Sequence, residues 1–249
     1  MDLIEEYARQ FAWRSWPTLL GALPPLAGAT VLDLGCGPGG LAAELAGRGA
    51  RVLGVDGNAE LVAAAQGRGI EGARFLNADL RELTREVDAP VDGIWCSFAA
   101  AYFVDLERVL AAWRELLVPG GWIALTEVDD MFAHEPVRAR TAELFEAYVE
   151  DGLRAGRYDF RMGRKLADRA RAAGFTIERE LEVPDRELAF SGAAGEDVLA
   201  AWRQRFERMG LLARAFGDEY EAARDDFLAA LASSEHVSRA RVCFCLARR

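Results

Sequence analysis

Asp33, Asp56 and Asp79 each stand in or just after a short apolar run: Val31-Leu-Asp-Leu34, Arg51-Val-Leu-Gly-Val-Asp56 and Ala73-Arg-Phe-Leu-Asn-Ala-Asp79. Directly after the first run comes Gly35-Cys-Gly-Pro-Gly-Gly40. Glycine after a parallel strand lets backbone approach a ligand closely, and a helix beginning there presents unpaired N–H groups. A carboxylate ending the second run can accept two hydrogen bonds from ribose hydroxyls. Asp79, followed by Leu80, is placed to accept from an adenine amino group. Gly35, Gly37 and Gly40 also satisfy G-x-G-x-x-G, the dinucleotide fingerprint, so a nicotinamide enzyme stays open on these residues alone.

A proton acceptor is the second chemistry to look for. His134 is the first candidate base, since histidine titrates near neutrality and this one follows the apolar run Trp122-Ile-Ala-Leu125. Glu127, Asp129 and Asp130 lie between them, as alternative bases or as carboxylates to grip a cationic substrate. Tyr102 and Phe103 can wall an acceptor pocket, and Tyr158 and Arg161 can reach it. Cys36, Cys96, Cys243 and Cys245 form no disulfide framework, and Cys243-Phe-Cys245 lacks companion ligands, so no metal is expected.

These residues need a scaffold. Strand and helix periods alternate from about residue 30 to about 128, with helices at Gly39–Gly47, Ala59–Ala65 and a stripe of Leu106, Val109, Leu110, Trp113, Leu116 and Leu117. Pro119-Gly-Gly121 stops that helix before a fifth strand at Trp122–Leu125. Such alternation implies βαβ units and a parallel sheet. Beyond residue 130 the pattern is helical to about 160 and again from Gly163 to Ala173. Phe175, Ile177, Leu181 and Val183 then fall on one side of a strand. Ala240, Val242, Phe244 and Leu246 alternate in the same way at the C-terminus, which suits strands with one buried face. Helical patterns around Trp202, Phe206, Met209 and Phe227 fill the interval, and His236 begins the final strand.

Four features join the glycine loop: Asp33 inside the first strand, the tighter Gly35-x-Gly37-x-Gly39 spacing, Asp56, and Asp79. With Pro119-Gly-Gly121, the series resembles the class I, Rossmann-like S-adenosylmethionine-dependent methyltransferases over residues 28 to 128. The resemblance implies a doubly wound, seven-stranded, mostly parallel α/β sheet with the last strand antiparallel. It implies that S-adenosylmethionine lies over the carboxyl ends of the strands. Gly35, Gly37 and Gly39 would flank its methionine portion and Asp33 hold the ammonium. Asp56, beside Gly57, would bind the ribose, Asp79 with Leu80 the adenine, and Ser97 and Phe98 would lie along the cofactor.

The expected organisation is a helical cap at 1–27, a cofactor-binding core at 28–183 and 237–249, and a helical lid at 184–236. Within the core, 130–160 contributes to the acceptor site. Lid arginines Arg203, Arg205 and Arg208 beside Trp202, Phe206 and Met209 suit closure over a small polar or anionic acceptor. The formal net charge of -10 gives no general attraction to phosphate backbones, so no nucleic-acid partner is expected. Ser97-Phe-Ala-Ala100 stands where amide or adenine N-methyltransferases carry Asn/Asp-Pro-Pro-Tyr/Phe, and no Pro-Cys nucleophile appears there. The expectation is methyl transfer to an oxygen or nitrogen of a small molecule, by in-line displacement. The alternatives are a nicotinamide-dependent oxidoreductase and an S-adenosylmethionine-binding protein without transfer. Acidic residues near the N-terminus and the lack of a long apolar stretch give a cytoplasmic expectation with no membrane partner. Oligomeric state is not legible.

Overall fold

The first run, Val31–Leu34, is buried throughout, as a strand covered on both faces must be. It forms β1 (Thr30–Leu34), followed by β2 (Arg51–Asp56), β3 (Ala73–Asn77), β4 (Val91–Ser97), β5 (Leu117–Asp129), β6 (His134–Glu135), β7 (Thr176–Val183), β8 (Val237–Ser238) and β9 (Arg241–Arg248). The computed structural model describes residues 3–83, 87 and 90–249; the first two residues of the expected 1–27 cap lie outside them. Seven strands form one sheet in the order β3-β2-β1-β4-β5-β9-β7, and β6 pairs with β8 in a separate two-stranded sheet. β3, β2, β1, β4 and β5 are mutually parallel, while β9 runs antiparallel to both β5 and β7. The strand order reverses direction at β1 and β4, the switch point where open α/β sheets leave a crevice.

The helices are α1 (Leu3–Trp13), α2 (Trp16–Leu20), α3 (Gly40–Gly47), α4 (Ala59–Gly67), α5 (Leu106–Arg114), α6 (Ala139–Arg154), α7 (Leu166–Ala172), α8 (Glu196–Arg208), α9 (Gly210–Phe216) and α10 (Tyr220–Ala232). Local chemistry explains several limits. Asn58 Oδ1 accepts the Glu60 and Leu61 N–H groups at 2.9 and 3.3 Å, capping the start of α4. α5 buries Leu106, Val109, Leu110 and Trp113 and ends at Arg114, so Leu116 and Leu117 extend the apolar stripe only as buried residues beyond its end.

Several expectations need correction. Pro119-Gly-Gly121 lies within β5: Val91 pairs with Leu117 and Gly93 with Trp122, and the intervening residues are absorbed as a register irregularity. The four apolar residues around β7 do not share a face. A register shift between Ile177 and Arg179 sends Phe175 and Ile177 to one side of the sheet and Leu181 and Val183 to the other. β9 is buried on both faces, with Val242, Phe244 and Leu246 in one core and Cys243, Cys245 and Ala247 in the other, because it is interior between β5 and β7. His236 precedes β8 and does not open the final strand.

Within residues 184–236, α8, α9 and α10 pack on one another, and α9 and α10 also pack against α6. Trp202, Phe206 and Phe227 are fully buried there, joined to the core that contains Trp95 and Phe244. This segment therefore supplies much of one core, and Leu188 and Arg205 from it line the crevice.

Candidate cofactor and acceptor site

At the carboxyl ends of β1 to β4 the crevice opens into a cavity of about 1160 Å³. Its floor carries Asp33, Gly35, Gly37, Asp56, Gly57, Asp79, Leu80, Ser97 and Phe98, while Tyr7, Phe11 and Arg14 line it from the N-terminal segment. The structure thus brings together all but one of the expected cofactor residues.

The exception is Gly39. It caps α3 at φ 75°, and a Cβ there would meet Phe75 at 3.0 Å and Ala65 at 3.1 Å, so its smallness serves packing. Gly37, at φ 51°, faces the cavity, and a Cβ there would meet only Tyr7, at 3.7 Å. The loop needs glycine for two separate reasons.

The carboxylates differ sharply. Asp33 is 2% exposed, and its Oδ2 is buried without a hydrogen-bond partner among the described residues. Burial, reinforced by nearby Asp56, pushes its carboxyl up to about 7. Asp56 is anchored at both oxygens: Gly37 N–H donates to Oδ2 at 2.9 Å and Asn58 N–H to Oδ1 at 2.8 Å. Each oxygen keeps a further lone-pair direction for a ligand hydroxyl. Asp79 accepts the Arg81 N–H at 2.9 Å, an Asx turn that leaves its side chain half exposed at the cavity mouth. Ser97 Oγ accepts from the Trp95 indole, and Phe98 sits in the left-handed region at φ 55° with the Arg14 guanidinium 5.1 Å from its ring centre.

The candidate bases separate. His134 lies outside this cavity. It is buried against Phe190, Trp202 and Phe227 and stacks on His236, with Nδ1 2.8 Å from His236 Nε2. His236 Nδ1 faces the Gly192 carbonyl at 2.9 Å, so that nitrogen carries the proton and His236 Nε2 accepts from His134. Burial and the neighbouring imidazole push His134 down to about 3.

Glu127, by contrast, lies just below the cavity. Its oxygens accept Val128 N–H at 2.9 Å and Ala101 N–H at 3.2 Å, and the Tyr158 hydroxyl also hydrogen-bonds to it. Burial dominates and raises its carboxyl to about 7. Tyr158 lines the cavity, and Tyr102 meets it edge-on with ring centres 4.8 Å apart. Asp129 is tied to Arg164 and Arg241, and Arg161 pairs with Asp130 and Glu146.

Of the three lid arginines only Arg205 lines the cavity; Arg203 pairs with Glu196 and Arg208 with Glu6. Arg14 and Tyr7 complete the wall; Arg14 was not singled out by sequence reasoning, because its place depends on contacts across the chain. Arg14 bonds Asp185 at 2.8 Å and Glu187 at 3.0 Å. Tyr7 has only the aromatic periodicity of α1 as its signal. Among the described residues no cluster of metal-ligating side chains occurs, and no helix is long and apolar enough to cross a membrane.

Comparison with known proteins bears on the same crevice. A family profile described as a methyltransferase domain matches residues 31–121. The ubiquinone biosynthesis O-methyltransferase of Xylella fastidiosa is 32% identical over 159 residues, covering 62% of this chain and 63% of that protein. The chain spans about half to two thirds of the length of the curated relatives it matches. Among solved structures, an S-adenosylmethionine dependent methyltransferase from Mesorhizobium loti superposes with TM-score 0.57 at 21% identity, over 94% of this chain and 97% of that one. Phosphoethanolamine N-methyltransferase 2 of Haemonchus contortus, in complex with S-adenosyl-L-methionine, does so with TM-score 0.61 at 21% identity, over 99% of this chain and 56% of that one. Residues 31–121 thus match a methyltransferase domain, and the chain as a whole has the class I, Rossmann-like methyltransferase fold.

Proposed function

We propose that the chain transfers the methyl group of S-adenosylmethionine to an oxygen or nitrogen of a small molecule. The observation that carries this is Asp33 Oδ2, a buried carboxylate oxygen with no hydrogen-bond partner among the described residues, in a side chain lining the cavity beside the glycine loop. An unsatisfied acceptor of this kind is costly unless a ligand donor, here an ammonium, completes it. Asp56 with Gly57 takes the ribose, and Asp79 with Leu80 the adenine. Gly35 and Gly37 admit the methionine portion, Ser97 and Phe98 run alongside it, and Gly39 supports the loop by packing. A cavity of about 1160 Å³ exceeds the range of about 300–1,000 Å³ that serves one drug-sized ligand, so an acceptor fits beside the cofactor.

The cofactor supplies an electrophilic methyl group with a good leaving group, so the protein's work is alignment, desolvation and removal of a proton. Glu127 is suited to that last task. The acceptor's proton passes to Tyr158 Oη as the Tyr158 proton passes to Glu127, whose carboxyl is raised close to neutrality. Tyr102 walls the acceptor against Tyr158. Helices α1 and α8 cover the crevice and keep water out.

Calorimetry with S-adenosylhomocysteine and NAD in parallel tests the cofactor, and a labelled-methyl assay over phenol, catechol, amine and carboxylate acceptors tests the transfer. The expected result is binding of S-adenosylhomocysteine alone and label in at least one acceptor. Binding of NAD alone returns the nicotinamide alternative; binding without label transfer returns the non-transferring one.

A further inference from the structure

The acceptor end of the cavity has an electrostatic polarity that the methyl-transfer reading leaves unused. Arg205 lines the cavity, yet among the described residues its side chain hydrogen-bonds only Glu187, through a single terminal nitrogen. Its Nε is buried with no partner among the described residues. Guanidinium carries five N–H donors, so several remain to be satisfied. The counter-ions stand behind the cation. Glu187 and Asp185 are buried, are shared with Arg14, and do not line the cavity, whereas Arg14 and Arg205 do. A ligand at this end therefore meets the positive side of the ion-pair cluster.

Three phenols share the cavity with this guanidinium. Tyr7, Tyr102 and Tyr158 all line the cavity, and each interacts electrostatically with Arg205. Burial raises all three phenols, so they remain protonated donors at neutral pH. Tyr158 spends its hydroxyl on Glu127, while those of Tyr7 and Tyr102 have no partner among the described residues. Acids do line the cavity, at Asp33, Glu44, Asp56 and Asp79, but three of these are assigned to the cofactor. The other walls at this end, Phe98, Phe103, Val128, Met131 and Leu188, are apolar, two of them aromatic.

We propose that Arg205 sets acceptor specificity, and that the acceptor is a compact aromatic molecule bearing an oxyanion, a carboxylate or phosphate monoester, held by Arg205 with the Tyr7 and Tyr102 hydroxyls. This rests on the cofactor occupying the Asp33–Asp56–Asp79 side. Planar guanidinium matches either oxyanion in bidentate fashion, and phenol donors complete the oxygens it leaves. The flat ring lies between the Tyr102–Tyr158 edge pair and the apolar wall. A cationic acceptor is disfavoured by Arg205 and Arg14 together, and a neutral one leaves the spare guanidinium donors dry and unpaired.

Calorimetry on the full chain saturated with S-adenosylhomocysteine tests this with four probes: 3,4-dihydroxybenzoate, its methyl ester, phenyl phosphate and dopamine. At least one of the two anions is expected to bind about ten-fold or more tighter than the ester and the amine, and whichever it is distinguishes carboxylate from phosphate. Arg205→Met should lower that anion's affinity about ten-fold or more beyond any change in S-adenosylhomocysteine affinity, and Arg205→Lys should restore part of it. Equal or tighter binding of the ester or the amine overturns the proposal, as does failure of both anions to bind the loaded protein. The wild-type comparison stands even where Arg205→Met does not fold. Absence of S-adenosylhomocysteine binding at the outset is a different result, and it removes the methyl-transfer reading itself.

Discussion

The backbone N–H of Gly37 donates to Asp56 Oδ2 at 2.9 Å, so the glycine turn after β1 and the carboxylate that ends β2 are mechanically one unit. Asp56→Ala therefore removes the ribose acceptor and also frees the turn. Charge-assisted hydrogen bonds are worth about 1.5–3 kcal/mol each, so S-adenosylhomocysteine affinity should fall by more than about ten-fold. Asp56→Asn keeps one oxygen and should lose less. Titration calorimetry on the folded variants decides it, and unchanged affinity in Asp56→Ala removes Asp56 from the site.

The two cavity-side glycines and Gly39 should separate by readout. Gly37→Ala places a Cβ in open cavity space at a positive φ, at a strain of about 1–2 kcal/mol. Its fold should persist while S-adenosylhomocysteine binding drops about ten-fold or more. Gly39→Ala forces a Cβ against Phe75 and Ala65, and its first effect should be a lower Tm. Gly35→Ala brings a Cβ to 2.9 Å from that of Ala99 and should lower both. Wild-type cofactor affinity in Gly37→Ala contradicts the close approach assigned to it.

Asp33 carries a pH signature. Its folded-state carboxyl lies at about 7, above the ordinary 3.8. A carboxyl raised on folding is favourable to the native state below its unfolded value, and that contribution is lost as pH climbs through about 7. Asp33→Asn has no charge to bury, so its Tm advantage over wild type should widen between about pH 5 and pH 8. The same substitution should weaken S-adenosylhomocysteine binding, since the ammonium loses its anion. Melting curves at four pH values suffice, and a constant difference between the two proteins refutes the assignment.

His134 should behave as a core residue. With its folded value near 3 against 6.5 unfolded, it supports the fold above about pH 6.5, and that support is lost as pH falls toward 3. His134→Phe should flatten this acid-side loss and leave S-adenosylhomocysteine affinity within about two-fold, because the ring lines a different part of the molecule. A loss of cofactor affinity comparable to that of Asp56→Ala would reinstate His134 at the site.

The parts of the site legible in the sequence share a cause. Asp33, Asp56, Asp79, Ser97 and Phe98 stand in or just past consecutive strands, and in a parallel sheet all strand ends meet at one edge. Local spacing carries that information. Arg14 and Glu187 lack any such signal, for their roles arise from a pairing across the chain between residues 173 apart. His134 misleads for the same reason: its position after β5 suits a base, yet its partner His236 is 102 residues away and draws it into the core. The β7 register shift is invisible to alternation counting because Glu178 and Arg179 are both exposed and polar.

Glu187 is where the 184–236 segment meets the chain just after α1, and it gives the most demanding test. The side chain is fully buried and bridges Arg14, one residue beyond the end of α1, to Arg205 on α8. Burial alone would raise its carboxyl, but the Arg205 and Arg14 guanidinium groups hold it down at about 2. The sign follows: Glu187 contributes stability above its ordinary 4.5, and that contribution is lost as pH falls toward 2. Deleting one partner of a buried pair costs about 3–5 kcal/mol, and in a chain of this size each kcal/mol moves Tm by about 2–4 °C. Glu187→Ala should thus melt roughly 6–20 °C lower, and Glu187→Gln, which keeps the hydrogen-bonding shape, should melt in between. Because Tyr7, Phe11 and Arg14 line the cavity from the segment this ion pair secures, Glu187→Gln should also speed amide exchange across residues 3–14 and weaken S-adenosylhomocysteine binding. Hydrogen exchange resolved by mass spectrometry reads both effects in one sample. If exchange in α1 matches wild type while Tm falls, Glu187 merely stabilises the lid core and does not clasp α1 over the cofactor.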